Sequence, residues 1–149
     1  MPAQGMPDDM HSVAERRLRR IDQRYTSGRR AIVDLLLTAG HPVSIEDIAE
    51  HLPGLPRSSA YRHLTNLHAA GLIRRVTASD EYTRFELAED LTEHHHHLVC
   101  LSCGKVTDVT LPAGLEQQVT SAITNLASAE GFQAHSHRLD VLGLCTACQ

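Results

Sequence analysis

The 149-residue chain has no tryptophan, two phenylalanines and three tyrosines. So few aromatics disfavour a stacking platform for single-stranded nucleic acid. Long apolar runs are also missing. The stretch Leu35 to Ala39, already broken by Thr38, is far too short to cross a bilayer. Residues 1–11 lack the apolar stretch of a secretory signal, so the expected location is cytoplasmic, with no membrane partner. There is no HExxH pair to suggest a metalloprotease-like zinc site. Against these absences stand eleven histidines and four cysteines, and the chemistry is expected among those fifteen residues.

The length suits one domain or two small ones, and 42% hydrophobic with 21% charged residues describes a folded globular chain. Charge is unevenly distributed. Residues 1–88 carry 12 Arg against 11 acids, a net of +1, whereas residues 89–149 carry one Arg, one Lys and 7 acids, a net of −5. Within residues 12–76, 11 Arg face 6 acids. A basic front and an acidic, His- and Cys-bearing back suggest two modules with different partners.

The front half predicts helices followed by a hairpin. Residues 1–11 read as a flexible tail, and Ser12 as the cap of a short Arg-rich helix. Thr26 or Ser27 caps the next helix, whose Ile32, Leu35, Leu36 and Ala39 follow helical spacing to Gly40. Ser44 with Asp47 makes an acidic variant of the capping box for a third helix, ended by Pro53-Gly54. Arg57 to Ala70 restarts the helix under a serine cap and stops at Gly71, with Ala60, Leu64 and Leu67 on one face. Leu72 to Val76 and Tyr82 to Leu87 read as strands around a Thr77–Glu81 turn. Three helices and a hairpin describe a winged helix–turn–helix. Its second helix would offer Ser, Tyr and Arg to a groove, and Arg74, Arg75 and Arg84 would give the wing its phosphate contacts. A plain helical bundle with a solvated arginine face is the competing reading.

The back half carries metal chemistry. Cys100-Leu101-Ser102-Cys103 and Cys145-Thr146-Ala147-Cys148 are two CxxC pairs, and together they make the four-thiolate set of a closed structural zinc site. Two disulfides or a redox dithiol compete with that reading. A reducing compartment and the missing βαβ context weigh against them. His94 to His97 lies inside the chain, just before Cys100. In an extended backbone His94 and His96 point one way and His95 and His97 the other, which predicts two separate metal sites. Further potential ligands are His41, Glu86, Glu89, Asp90, Asp108, His135 and His137. Glu116 begins an amphipathic helix bearing Leu115, Val119, Ala122, Ile123 and Leu126, and Arg138 to Leu144 reads as the final strand.

The segment Arg57 to Ile73, the string HHHHLVCLSCGKVTDV and the closing HRLDVLGLCTAC resemble the ferric uptake regulator family over nearly all of the chain after residue 12. The resemblance implies an α+β fold: an N-terminal winged helix–turn–helix in residues 1–87, a hinge at 88–92 and a C-terminal α/β dimerisation domain in 93–149. It implies structural Zn2+ on Cys100, Cys103, Cys145 and Cys148. A regulatory divalent ion, Fe2+, Zn2+ or Mn2+, is implied on His41, Glu89, His95, His97 and Asp108. Glu86 competes with Glu89, which lies six residues before His95. A second site maps to His94, His96, Glu116 and His137. DNA contact falls to Arg24, Arg57, Ser59, Tyr61 and Arg62, with His63 the helical histidine best placed to reach DNA.

The expected function is a metal-responsive repressor, not an enzyme, binding a double-stranded DNA operator as a homodimer, with no small-molecule substrate. Iron-type or general divalent-metal sensing is the leading reading. A zinc uptake regulator and a peroxide sensor are alternatives within the family: no fifth Cys stands at Glu89, as zinc sensors often have, and Asp108 matches the peroxide-sensing branch. A zinc metallohydrolase or zinc-buffering protein is the alternative from another class.

Overall fold

The structure is a computed structural model describing residues 7–77 and 83–149. The chain divides into two compact units, up to Glu93 and from His94 onward. In the first, helices α1 (Pro7–Arg19), α2 (Ser27–Ala39), α3 (Ile45–His51) and α4 (Arg57–Ala69) accompany strands β1 (Val43–Ser44), β2 (Ile73–Thr77) and β3 (Thr83–Leu87). The strands form an antiparallel sheet ordered β1-β3-β2. The expected hairpin therefore exists, but most of its turn, Ala78 to Glu81, and Tyr82 lie outside the described residues.

Local chemistry accounts for most helix ends. Thr26 caps α2 by accepting from the Arg29 N–H, and Gly40 closes it at φ 66°, a left-handed conformation that favours glycine. Ser44 accepts from the Asp47 N–H at 3.1 Å while the Asp47 carboxylate accepts from the Ser44 N–H at 2.7 Å, a reciprocal capping box. Two expectations fail. The first helix begins at Pro7, so residues 7–11 are helical rather than tail and Ser12 lies inside the helix. What recruits that turn is burial: His11 donates from Nε2 to Asp34 Oδ1 at 3.0 Å and accepts at Nδ1 from the Tyr25 hydroxyl at 2.7 Å. Helix α4 has no serine cap, since Pro56 takes the N-cap position, where its fixed φ suits helix entry.

Ala60, Leu64 and Leu67 of α4 join Leu18, Ile32, Val33, Ile48, Leu72, Phe85 and Leu87 in one core. Residues 89–91, inside the expected hinge, form a 3-10 turn attached to this unit. Leu91 packs on the core, and Arg17 binds both the Gly71 carbonyl and Asp90. The Arg17 guanidinium holds the Asp90 carboxyl below its ordinary pKa.

The second unit is a three-stranded sheet with one helix. Strand β4 (His96–Cys100) lies between β5 (Val106–Val109), antiparallel to it, and β6 (Asp140–Gly143), parallel to it. A parallel neighbour needs a crossover, which α5 (Ala113–Ala129) supplies. The last strand is shorter than the expected Arg138–Leu144. Its register sets Asp140 opposite His97 and Gly143 opposite Cys100.

Candidate metal centres and nucleic-acid face

Three ligand-bearing groups come from the second unit, and β4 feeds all of them. Cys100 ends the strand, Cys103 follows in the turn, and Cys145 and Cys148 follow β6, which is hydrogen-bonded beside β4. The four sulfurs lie within 4.8 Å of one another, with Cys103 Sγ and Cys145 Sγ at 3.7 Å. Backbone amides of Cys103 and Cys145 lower the Cys100 thiol to about 6. The Cys148 thiol is pushed up to about 11. There the Ser102 hydroxyl favours the thiolate, but Cys145, Cys103 and burial outweigh it. Four thiolates this close cannot all ionise unless a cation offsets their charge. The cysteines are free, and the donor set is that of a tetrahedral soft-metal site.

The four histidines alternate. His94 and His96 turn to one side, their rings 4.8 Å apart, and His95 and His97 to the other, 5.1 Å apart. On the first side Glu116, in the first turn of α5, receives three imidazoles: Nε2 of His96 at 2.8 Å, of His137 at 2.9 Å and of His94 at 3.2 Å. The hydrogen bond from His96 holds the Glu116 carboxyl below its ordinary range, assisted by the charges of His94 and His137. Three convergent imidazole nitrogens and one carboxylate fit a four-coordinate divalent ion.

On the other side, His97 Nε2 lies 3.6 Å and His95 Nε2 3.9 Å from the Asp108 carboxylate. The antiparallel register sets His97 directly opposite Asp108. Both histidine side chains are nearly buried. Asp140, which the sequence reading did not single out, accepts from His97 Nδ1 at 3.1 Å. The signal was there in principle, since Asp140 opens the strand that pairs with β4, but the register of a parallel pair is not written in local sequence. His135, one of the further potential ligands in the sequence, is exposed and joins none of these groups.

In the first unit, His41 is exposed just after Gly40 and donates from Nδ1 to the Pro42 carbonyl at 2.9 Å. Glu86 on β3 and Glu89 in the 3-10 turn share one guanidinium: Arg74 reaches Glu86 at 2.5 Å and Glu89 at 3.5 Å.

Helix α4 presents Ser58, Tyr61, Arg62 and Thr65 on its exposed face, opposite its buried stripe. Arg57 is exposed and ion-paired with Glu46 of α3 at 2.7 Å. Arg24 is exposed before α2. Ser59 stands on the flank, half-buried, where its hydroxyl accepts from Arg62 at 3.4 Å. His63 does not face outward. A Cβ built on Gly28 would come 2.6 Å from its Nε2, so the ring fills the space left by that glycine between α2 and α4. Burial, with Arg29 and Arg62 nearby, lowers its pKa. The wing arginines also divide. Arg75 is exposed, whereas Arg74 is committed to Glu86 and Arg84 lies 3.5 Å from Asp47.

The profile of the Ferric uptake regulator family matches residues 20–142. The chain belongs to this family of metal-responsive transcription regulators. It is 32% identical over 130 residues to the peroxide operon regulator of Bacillus subtilis, covering 84% of this chain and 83% of that protein. To the ferric uptake regulation protein of Synechococcus elongatus it is 30% identical, over 76% of each chain. Among solved structures, the Helicobacter pylori ferric uptake regulator, described as having three functional metal-binding sites, superposes with a TM-score of 0.72 at 25% identity over 93% of both chains. The α+β architecture is thus the family's. These relatives are regulators rather than enzymes, and no helix among the described residues is long and apolar enough to cross a membrane.

Proposed function

We propose that this chain is a cytoplasmic repressor of metal-homeostasis genes. It binds a double-stranded DNA operator as a homodimer and is switched by a divalent ion. The observation that carries the reading is the alternation at β4, which gives one histidine run two chemically different ligand groups beside a four-cysteine cluster. In this reading Cys100, Cys103, Cys145 and Cys148 hold structural Zn2+. The regulatory ion, Fe2+ or Mn2+ before Zn2+, is held by His41, Glu89, His95, His97 and Asp108. His94, His96, Glu116 and His137 form a second site. Imidazole and carboxylate donors suit all three metals, whereas thiolates select zinc.

The switch follows from what each ion connects. A metal bound by His41 on the DNA-binding unit and by His95, His97 and Asp108 on the other favours one arrangement of the two units. It can shift DNA affinity only by its differential affinity for that arrangement. Arg24, Arg57, Ser59, Tyr61 and Arg62 meet DNA: Tyr61 meets thymine methyls, Arg62 a base edge or phosphate, and Arg24 an A·T-rich minor groove. Exposed apolar side chains on the second unit, Leu126, Phe132, Leu142 and Leu144 among them, support the homodimer.

The test is a gel shift with promoter DNA, titrated with Fe2+, Mn2+ and Zn2+ at fixed salt. Metal-dependent retardation is expected, abolished by His97→Ala and much less affected by His96→Ala at equal dimer content. Retardation independent of metal would defeat the reading. Glu89→Gln and Glu86→Gln, compared in the same assay, decide which carboxylate of the Arg74 pair serves the ion. A peroxide-sensing reading is favoured by one observation, the 32% identity to a peroxide operon regulator. In that case the Fe2+-activated shift, unlike the Mn2+-activated one, is lost after brief exposure to hydrogen peroxide.

A further inference from the structure

We propose that Asp140 is a positioning residue for the metal centre of His95, His97 and Asp108, fixing the His97 tautomer and strengthening that ring as a ligand. The proposal rests on the reading above that His97 ligates the regulatory ion.

The argument begins with the backbone. The parallel register of β4 and β6 sets Asp140 directly across from His97, so the pairing is built into the sheet. The two side chains meet with His97 Nδ1 3.1 Å from Asp140 Oδ1. An ionised carboxylate can only accept, so Nδ1 must carry the proton. In the neutral ring Nε2 then presents a lone pair, and it is Nε2 that lies 3.6 Å from the Asp108 carboxylate. A ring lone pair and a carboxylate that face each other, with His97 only 6% exposed, make a place where a cation is stabilised by both. Asp140 thereby aims the lone pair at the place where a cation is most stabilised.

A carboxylate behind a ligating imidazole does two things. It fixes the ring's orientation, and it raises the basicity of the far nitrogen, because the proton it accepts is shared towards oxygen. The negative charge of Asp140 also acts directly on a nearby cation. The second histidine cluster differs here. His96 Nδ1 is buried with no hydrogen-bond partner among the described residues, so no carboxylate backs that ring. His97 and His96 therefore differ in their support, and the carboxylate-backed ring of the two is on the Asp108 side.

The experiment separates tautomer, charge and simple sheet stability. Asp140→Asn keeps an oxygen that can accept from Nδ1 but loses the charge, while Asp140→Ala loses both. Imidazole 15N spectra of protein carrying zinc only on its four cysteines should show His97 protonated at Nδ1 in the parent and in Asp140→Asn. In Asp140→Ala that preference should be lost. Mn2+ is then titrated in a His96→Ala background, so that the other histidine cluster does not contribute. Affinity should fall in the order parent, Asp140→Asn, Asp140→Ala, the last by about 10–100-fold. Zinc content and melting temperature should stay unchanged. Unchanged Mn2+ affinity in Asp140→Ala, or an Nε2-protonated His97 in the parent, would overturn the proposal. So would a fall in affinity no larger than the accompanying loss of zinc explains. His97→Ala in the same titration distinguishes the two levels: if it leaves Mn2+ affinity unchanged, the metal-site reading fails as well, and if it lowers affinity while Asp140→Ala does not, only the role of Asp140 fails.

Discussion

The two units of this chain are stabilised in opposite ways. The first buries a continuous core from Ala14 to Leu87, contributed by four helices and a sheet. In the second, every residue of β6 is exposed and α5 buries none. Its buried positions gather on β4 and the start of β5, with His96, His97 and Cys100 among them. Nine of the large apolar side chains exposed among the described residues belong to it, against three in the first unit. A unit with so little apolar burial needs another source of free energy, which in the proposed reading comes from its ligand clusters and from an apolar surface open to a second copy. On that reading the first unit remains folded whatever the metal status, while the second ties its own stability to the ions.

The largest expected effect breaks the molecule along that line. Cys145→Ser, or removal of zinc by a strong chelator, should unfold the second unit and leave the first intact. Apparent binding free energies of structural zinc are about 10–16 kcal/mol in small domains, far more than this unit's core can replace. The readout is built into the sequence, because all three tyrosines, Tyr25, Tyr61 and Tyr82, precede residue 94. Tyrosine fluorescence thus reports the first unit alone, whereas far-ultraviolet circular dichroism reports both. A tyrosine transition that moves together with zinc loss would show the units to be one cooperative body.

The converse change is Leu67→Ala. Leu67 is fully buried at the centre of the first core. Its truncation should cost about 2–5 kcal/mol by lost transfer energy and the cavity left behind. The tyrosine-detected melting temperature should fall while zinc stoichiometry remains unchanged. A loss of zinc in this variant would contradict the separation of the units.

What the sequence could reveal differs between the units for a physical reason. Capping boxes, glycine stops and 3.6-residue periodicity are local signals, so α2 and α3 were legible with their caps. The alternation at His94 to His97 was legible because an extended chain has period two. Contacts set by tertiary register were not. Nothing local tells that Asp140 pairs with His97, that Gly28 leaves room for His63, or that Arg74 and Arg84 are held by Glu86 and Asp47 rather than free for phosphate. The first helix runs longer than its sequence suggests because Pro7–His11 has little apolar periodicity and is ordered by the contact of His11 with α2 and the segment before it.

That contact gives the next prediction. Burial raises the Tyr25 phenol to about 12, with Asp34 adding to the rise and Arg30 opposing it. The folded state therefore favours the neutral phenol. Its contribution to stability is complete below pH 10, the ordinary tyrosine value, and is lost as pH rises through 12. Tyr25→Phe removes the hydroxyl that donates to His11, which should cost about 1–3 kcal/mol at neutral pH by leaving a buried ring nitrogen unpaired. It should also flatten the decline in the first unit's stability between pH 10 and 12. A decline as steep as the parent's would place its origin in another group.

The smallest expected effect sharpens the comparison within the first unit. Ser44 belongs to two elements at once: it pairs with Arg84 in the short strand β1 and caps α3. Ser44→Ala keeps the strand pairing, which uses only backbone, and keeps the Ser44 N–H donating to Asp47. It removes the hydroxyl that accepts from the Asp47 N–H at 3.1 Å and donates to the Asp47 carboxylate at 2.9 Å. The cost should be about 1 kcal/mol, the usual value for losing a cap. Those hydrogen bonds from Ser44, together with the charge of Arg84, hold the Asp47 carboxyl below its ordinary value against the cost of burial. The Asp47 pKa should therefore move back up in the variant, shifting the acid limb of the first unit's stability to higher pH. Because α3 packs on α4, the change should register in the tyrosine-detected melt while leaving zinc content and the fold of the second unit untouched. A melting temperature equal to the parent's, with an unmoved acid limb, would mean that the Asp47–Ser44 backbone contact alone holds the start of α3.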